Sequence, residues 1–336
     1  MICLLTIALR YRLAGTHQRK AGACADGEAA IMHAHTMFTW LTRHRRATRR
    51  LPMPTQTSDE GHRYFFISND QSEVLRLNLQ HFMFAREFGS DRAVPAQVMP
   101  QPIELLDVAC GTGFWAIQQA KELAPLGANI VGFDKQLPSA ATSGERPDNC
   151  LLIAGDALEC FPFGDASFSY VMMRACSAFV PRDHWPIFLR EAARVTRPGG
   201  FVEVRDFGVV VSESQAMTTL TRIFTQLADR VGIYPGAGPH LRTIFNAAGF
   251  NSPRIMTRQV RFGRPRGTPG GALMVTDYLA VLKRVIVPIS QSGIIWDHVP
   301  ITATRWENLL VEAEADSQEG KKTAVQLTCA LARRVA

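Results

Sequence analysis

The sequence lacks the usual features of membrane-spanning and disulfide-bonded proteins. No apolar run in its 336 residues approaches the ~20 residues that a helix needs to span a bilayer. Its seven cysteines are an odd number, and no two of them form a Cys-x-x-Cys pair. These absences argue against a disulfide framework and against a zinc site, and they favour a reducing, cytoplasmic compartment.

Charge is balanced along most of the chain, although the net charge is +7. Residues 1–54 hold nine Lys or Arg and two acidic residues, so this segment carries the whole excess. The other 282 residues hold 28 basic and 28 acidic side chains. Because a neutral core lacks the basic groove that DNA or RNA requires, we expect no nucleic-acid partner.

The N-terminal segment has no secretory signal pattern, because its basic residues follow the apolar start and do not precede it. His33, His35 and His44 have no acidic or thiolate neighbours, so we expect no metal site there. We interpret residues 1–54 as a basic, disordered extension. A further hypothesis is that this segment reflects an upstream start and that Met53 is the natural first residue.

Short apolar strands alternate with helical patterns from residue 103 onward. Strands are predicted at 103–109, 129–134, 150–156, 168–175 and 201–207, with helices at 113–124 and 184–197. This alternation predicts an α/β fold with a doubly wound, mostly parallel sheet and helices on both of its faces.

Helical segments flank this predicted sheet. One helix is predicted at 69–88, and a proline-rich linker at 94–102 joins it to the first strand. After a flexible loop at 263–271, the rest of the chain is also predicted to be helical. The predicted parts are an extension (1–54), a helical N-terminal cap (55–100), a core (101–263) and a helical C-terminal extension (264–336).

Charged side chains stand at the carboxyl ends of the predicted strands, where parallel sheets bind their ligands. Asp107, Asp134 and Asp156 lie at or just beyond the ends of the first three strands, and Arg174 lies at the end of the fourth. This shared placement predicts one binding site. For each acid, the alternative is a helix N-cap or a solvated loop end. Arg174 is expected to contact a cofactor or an acidic substrate, or to form a structural salt bridge.

The turn after the first strand reads GTGFWA (111–116) and fits the G-x-G-x-x-G/A pattern of nicotinamide and flavin proteins. Asp107 favours another ligand, because a carboxylate repels a pyrophosphate and attracts an ammonium or sulfonium group. Asp156 suits an adenine amino group, which donates hydrogen bonds. An NAD(P)-dependent oxidoreductase therefore stays open as an alternative.

Residues 105–113, LLDVACGTG, resemble motif I of the class I S-adenosylmethionine-dependent methyltransferases, which usually reads hydrophobic-hydrophobic-D/E-x-G-x-G-x-G. Ala109 stands where the first glycine is usual, and we expect it to be tolerated with a negative φ. Residues 155–174 resemble the third and fourth motifs, with Ser169 where many members have Asp. Residues 191–204 resemble the helix, PGG turn and fifth strand of the family.

A shorter segment, 73–84, resembles a helix that caps the cofactor site in one subgroup of this family. That subgroup includes fungal secondary-metabolism regulators of the LaeA type and bacterial small-molecule methyltransferases. The resemblance implies a role in small-molecule methylation and secondary metabolism, with this helix closing over the site.

The family resemblance also implies a seven-stranded Rossmann-like sheet and S-adenosyl-L-methionine as the cofactor. Asp107 is implied to hold the amino-acid end of the cofactor, Asp134 the ribose hydroxyls and Asp156 the adenine. The residues implied to bind the cofactor are Asp107, Ala109, Cys110, Gly111, Gly113, Asp134, Lys135, Asp156, Ala157 and Arg174.

Methyl transfer from a sulfonium is an in-line displacement, so positioning of the acceptor can supply most of the catalysis. A general base is therefore not required, and His81, Tyr64 and His184 are only weak candidates for one. A small organic molecule is the expected acceptor, and its reacting atom stays open among O, N, C and S. A non-catalytic, methyltransferase-like regulatory protein is a further alternative.

Overall fold

The computed structural model of the protein describes residues 71–137, 146–263 and 270–335. The predicted extension at 1–54, the first part of the predicted cap and Tyr64 lie outside the described residues. Within the described part of the chain, no helix combines the length and the apolar character that a membrane span requires.

The described segments form eight α-helices. Their bounds are α1 Gln71–Phe88, α2 Phe114–Leu123, α3 Trp185–Val195, α4 Gln215–Arg230, α5 Leu241–Ala247, α6 Gly271–Arg284, α7 Ile286–Gln291 and α8 Ala303–Gln318. The predicted helix at 69–88 corresponds to α1, and those at 113–124 and 184–197 correspond to α2 and α3.

The same segments contain ten strands, of which eight form one sheet. The bounds are β1 Glu104–Val108, β2 Asn129–Asp134, β3 Cys150–Ala154, β4 Phe168–Arg174, β5 Thr196–Phe207, β6 Val211–Ser212, β7 Arg254–Arg261, β8 Ile295–Trp296, β9 Val299–Pro300 and β10 Thr323–Arg333. Strands β8 and β9 pair only with each other, as a short hairpin.

The sheet has the order β3-β2-β1-β4-β5-β10, and β7 and β6 both pair with β10. The first five strands are parallel, whereas β10 is antiparallel to β5 and to β7. The predicted fold class, a mostly parallel Rossmann-like sheet with helices, is confirmed. The strand number is eight and not seven, because the two-residue β6 adds a short pairing between Ser212 and Thr323.

The helical prediction for the C-terminal part holds for α6, α7 and α8, but it fails for the hairpin of β8 and β9 and for the segment beyond Gln318. Thr323–Arg333 is β10, which lies inside the sheet between β5 and β7. Leu327, Cys329 and Ala330 are fully buried there. A strand that is buried on both faces has no alternation of apolar and polar residues, so its pattern resembles that of a buried helix. The sheet therefore extends beyond the predicted core boundary at residue 263.

Two hydrophobic clusters place the helices around the sheet. One joins α2 to β1, β2 and β3 through residues such as Trp115, Leu105 and Leu152. The other joins α1, α4, α6 and α8 to β7 and β10, with Trp306 fully buried in it. The indole N–H of Trp306 donates to the carbonyl oxygen of Leu282, 2.9 Å away, so α8 is tied to α6. Helix α1 thus belongs to the same packed layer as the C-terminal helices.

Candidate functional site

The turn between β1 and α2 reverses direction through three residues in the left-handed region of φ. They are Ala109 at +55°, Gly111 at +56° and Gly113 at +73°. The N–H of Gly113 donates to the carbonyl of Cys110 at 3.0 Å, which closes the turn immediately before α2. The expected negative φ for Ala109 is therefore wrong, and this alanine adopts a conformation that disfavours any side chain.

Replacing Ala109 by glycine should raise the free energy of unfolding by about 0.5–1 kcal/mol. The substitution removes the cost of a left-handed alanine, and the extra backbone entropy of unfolded glycine offsets part of that gain. Chemical denaturation measures the change. The matched control, Ala116→Gly inside α2, should lower stability, because Ala116 is a buried helical residue. A loss of stability in both variants would contradict this account of the turn.

Asp134 and Asp156 both stand at strand ends and organise the loops that follow. The carboxylate of Asp134 accepts from the N–H of Gly111 at 2.8 Å and from that of Gln136 at 2.9 Å. Asp156 accepts from the N–H of Leu158 at 2.9 Å and from Lys135 Nζ at 2.8 Å. Burial raises the pKa of Asp134. These contacts match the loop-end alternative for each acid, yet both side chains also line a cavity.

That cavity has a volume of about 570 Å³ and opens at the carboxyl ends of the parallel strands. This volume is within the range of small-molecule sites in proteins. Of the ten residues implied to bind the cofactor, eight line it: Ala109, Cys110, Gly111, Asp134, Lys135, Asp156, Ala157 and Arg174. Gly113 and Asp107 are not among the lining residues. Of the four strand-end residues that the sequence singled out, Asp134, Asp156 and Arg174 line this cavity and Asp107 does not.

Asp107 is fully buried and is paired with a protein cation. Its Oδ2 accepts from Arg174 Nη2 at 3.3 Å, and its Oδ1 has no hydrogen-bond partner among the described residues. Burial raises the pKa of Asp107 to about 6, and the Arg174 charge opposes this rise. Asp107 therefore holds Arg174, and it is Arg174 that faces the cavity.

Arg174, at the end of β4, is held from several sides. Its Nη1 lies 2.9 Å from His81 Nδ1, and its guanidinium lies over the Trp115 ring at 5.9 Å from the centroid. Its Nε is buried and has no partner within the described segments. The side chain is only 14% exposed. The cavity wall thus includes one cation of fixed orientation, Arg174, whose Nε–H has no hydrogen-bond partner among the described residues.

His81 lies between Arg174 and α2 and is buried. Burial and the adjacent Arg174 charge lower the pKa of His81 to about 3, so the ring is neutral at pH 7. Its Nε2 lies 3.0 Å from Gln118 Oε1, which assigns the ring proton to Nε2 and leaves Nδ1 to accept from Arg174. Since Arg174 already uses this lone pair, His81 is placed to orientate Arg174 rather than to take a substrate proton.

The free energy of unfolding should fall as the pH falls below 6.5. In this range His81 takes up a proton in the unfolded chain, whereas it stays neutral in the folded chain until the pH approaches 3. The contribution of His81 is present above pH 6.5 and is lost toward pH 3. Between pH 6 and pH 5 we expect the wild type to lose about 1.4 kcal/mol more than His81→Gln in unfolding free energy. Equal pH slopes for the two proteins in urea titrations would contradict a neutral, buried His81.

His184, another candidate base, does not line the cavity. His184 precedes α3 and is buried, its Nε2 has no partner among the described residues, and it does not line the cavity. Burial lowers the pKa of His184. Tyr64 lies outside the described residues. Of the two candidates among the described residues, His81 lines the cavity and His184 does not.

Helix α1 lies directly over the glycine turn. Thr112 Oγ1 donates to Asn78 Oδ1 at 2.8 Å, and Leu77 Cδ1 is 3.3 Å from the point where a Cβ on Gly111 would stand. Leu77, Gln80 and His81 line the cavity from this helix. The packing thus places α1 beside the cavity, and its role as a cap stays a prediction.

The structure also brings residues to the cavity that the sequence did not single out. Arg76 and Asp277 are buried and form an ion pair of 2.7 Å that joins α1 to α6. The sequence does carry a signal for Asp277, because it is the one acidic residue in the apolar segment GALMVTDYLAVL (271–282). Ser177 follows β4 and donates through Oγ to Asp206 at 2.6 Å, a contact between distant residues that no local pattern indicates.

Comparison with known proteins identifies a family that resembles a part of the chain that lines this cavity. Residues 105–200, which span β1 to the start of β5, match a family described as a methyltransferase domain. This stretch is therefore similar to a methyltransferase domain. The resemblance read from the motifs is confirmed for this stretch, and S-adenosylmethionine is the cofactor that this family uses. The narrower LaeA-type subgroup stays a prediction.

Individual relatives match parts of the chain. A demethylmenaquinone methyltransferase of Staphylococcus aureus is 38% identical over 100 residues, which are 29% of this chain and 40% of that protein. The chain thus spans less than half the length of this curated relative.

Among solved structures, phosphoethanolamine N-methyltransferase 2 of Haemonchus contortus is 17% identical with a TM-score of 0.42, covering 83% of this chain and 61% of that one. The [4+2]-cyclase SpnF is 16% identical with a TM-score of 0.42, covering 83% of this chain and 89% of that one.

Proposed function

We propose that this chain is an S-adenosylmethionine-dependent methyltransferase that acts on a small-molecule acceptor. The observation that carries the proposal is the cavity at the carboxyl ends of β1 to β4, where a methyltransferase-type turn meets two acids and one orientated arginine. Arg174 lines this cavity, and its Nε is a buried polar atom without a partner among the described residues; such atoms commonly mark a ligand position.

The residues present fit this cofactor. Arg174 can donate from Nε to the carboxylate of the methionine end, and a guanidinium is well suited to such a group. Each oxygen of Asp134 accepts one backbone N–H, so lone pairs are left for the ribose hydroxyls. Asp156 and Ala157 line the cavity where the adenine would lie. Ala109, Cys110 and Gly111 would contribute the backbone of the turn.

The strand order of the sheet favours a methyltransferase over a nicotinamide-dependent enzyme. The doubly wound fold that binds dinucleotides has the order 3-2-1-4-5-6 with parallel strands. Here the strand after β5 in the sheet is β10, which is antiparallel and comes from the end of the chain. The buried carboxylate of Asp107 beneath the turn is also unfavourable for a pyrophosphate.

The cofactor, when bound, supplies a methyl group on a positively charged sulfur. The chain's own part is to hold both reactants in line and to exclude water. Helix α1 covers the turn, and Arg174 is fixed by His81 and Asp107, so the cofactor end of the cavity is preorganised. Because His81 is hydrogen-bonded to Arg174, the geometry of the described residues assigns no general base, and we propose proximity as the main catalytic contribution.

Isothermal titration calorimetry with S-adenosylmethionine and with NADH tests the proposal. The wild type should bind S-adenosylmethionine and show no heat with NADH. Asp134→Asn should weaken binding about tenfold, because the amide replaces a charged acceptor of the ribose hydroxyls. Glu307→Gln, an exposed acid on α8, is the matched control and should bind normally. Binding of NADH, or of neither ligand, would overturn the proposal.

A further inference from the structure

Part of the cavity lining is mainly apolar, and we call this part the distal chamber. Its wall is formed by six mainly apolar side chains from β10, from α4 and α6, and from the segment before β6: Val210, Phe224, Met274, Tyr278, Val281 and Val325. None of them belongs to the turn or strand ends assigned to the cofactor. If the proposed function holds, this chamber is where the methyl acceptor lies.

Arg76, a cation at the α1 side of the cavity, donates one hydrogen bond to a carboxylate from each of its three guanidinium nitrogens. Its Nε and Nη2 donate to the two oxygens of Glu73 at 2.8 and 2.7 Å, and its Nη1 donates to Asp277 Oδ1 at 2.7 Å. Arg284 adds a second cation to this cluster, 3.1 Å from Glu73. Two acids, Glu73 and Asp277, therefore balance the charge of two arginines in this cluster.

The hydroxyl of Tyr278 is also engaged. It lies 3.0 Å from Thr221 Oγ1, and burial raises the pKa of Tyr278 to about 12. The phenol is therefore neutral, and it presents mainly its ring to the chamber.

Asp277 Oδ2 is the weakly partnered polar atom at this wall. Asp277 is 2% exposed and lines the cavity, and Oδ2 has one long contact, with Gln80 Nε2 at 3.5 Å. Such a length is beyond the usual range of an N–H···O hydrogen bond. A buried carboxylate oxygen that lacks a good hydrogen bond is stabilised by a ligand that donates one to it.

We infer that the acceptor is a largely apolar molecule that carries a hydrogen-bond-donating hydroxyl or amine, which Asp277 Oδ2 binds. The apolar chamber wall receives the body of the molecule. Anionic acceptors are disfavoured, because the cations near the chamber are paired and Asp277 adds a like charge. This inference rests on the proposed function and adds the class of acceptor.

Three probes that share one apolar body test the inference on the full chain saturated with S-adenosylhomocysteine: 4-propylphenol, 4-propylanisole and 4-propylbenzoate. Calorimetry should show binding of the phenol, binding of the anisole weakened about tenfold, and no binding of the benzoate. The anisole lacks the donor and leaves the buried acceptor unpaired. Equal binding of phenol and anisole, preferred binding of the benzoate, or binding of none of them would overturn the inference.

Variants of the chain test whether Asp277 causes the preference for the phenol over the anisole. Asp277→Asn retains an oxygen for Arg76 but replaces the second acceptor, so the phenol and the anisole should then bind within about twofold of each other. Val281→Phe fills the chamber and should weaken the phenol at least tenfold. The control Thr276→Ala alters the exposed neighbour of Asp277 and should retain the preference for the phenol. An unchanged preference in Asp277→Asn would contradict the role of Asp277.

Saturation with S-adenosylhomocysteine is measured first for every protein, which separates the two proposals and shows that each variant has folded. Failure of the wild type to bind S-adenosylhomocysteine counts against the proposed function. Binding of S-adenosylhomocysteine without the expected order of probes counts against the acceptor class alone.

Discussion

Replacing Arg174 by methionine should weaken S-adenosylmethionine binding roughly 100-fold and lower the unfolding free energy by about 2–3 kcal/mol. The loss of affinity follows from removal of the donor that faces the cavity. The loss of stability follows because Asp107, fully buried, loses its cationic partner. Calorimetry and urea denaturation measure the two effects separately.

A double variant distinguishes the two roles of Arg174. In Asp107→Asn/Arg174→Met the buried charge is removed together with its partner, so most of the stability should return while cofactor affinity stays low. Arg174→Lys keeps the charge but not the planar set of donors, and it should bind with intermediate affinity. Wild-type affinity in Arg174→Met would show that Arg174 does not bind the cofactor.

Replacing Gly113 by alanine should lower the unfolding free energy by about 2–4 kcal/mol. The residue has φ of +73°, and its new Cβ would stand 2.6 Å from Leu152 Cδ1 and 2.9 Å from Cδ2. The left-handed backbone costs about 1 kcal/mol, and displacement of the buried Leu152 costs a further 1–3 kcal/mol. Urea denaturation of the two proteins gives the difference.

Gly127 provides the matched control for this substitution. Its φ is +65°, but nothing lies within 4 Å of the position that a Cβ would take. Gly127→Ala should therefore show only the backbone cost, about 1 kcal/mol. If the two variants lose equal stability, contact with Leu152 is not the reason that position 113 requires glycine.

Much of the fold could be predicted from the sequence, because the signals are local. The strands β1 to β5 are short apolar runs separated by helical patterns and turns, and each was located to within a few residues. Strand β10 was missed because it pairs with β5 from more than 100 positions along the chain and is buried on both faces. Burial of that kind removes the alternation on which strand prediction depends.

That Asp134, Asp156 and Arg174 line one cavity was also predictable, since strand ends in a parallel sheet meet at one edge. What the sequence could not show is which partner each charge meets. Asp107 was expected to contact the cofactor, but it pairs with Arg174, 67 positions away. The distal chamber depends on contacts such as that between Arg76 and Asp277, which are 201 positions apart. Pairings at such separations are set by tertiary packing and leave no local pattern.

Hydrogen exchange with and without S-adenosylhomocysteine tests the central claim most directly, because it reports where the ligand binds along the chain. We expect the ligand to slow exchange at the turn (109–113), at the end of β2 (134–136) and along α1 (71–88), with α8 unchanged. Protection of the turn and β2 without α1 would show that α1 does not close over the cofactor. Protection elsewhere, with the turn and β2 unchanged, would contradict the assignment of this cavity as the cofactor site.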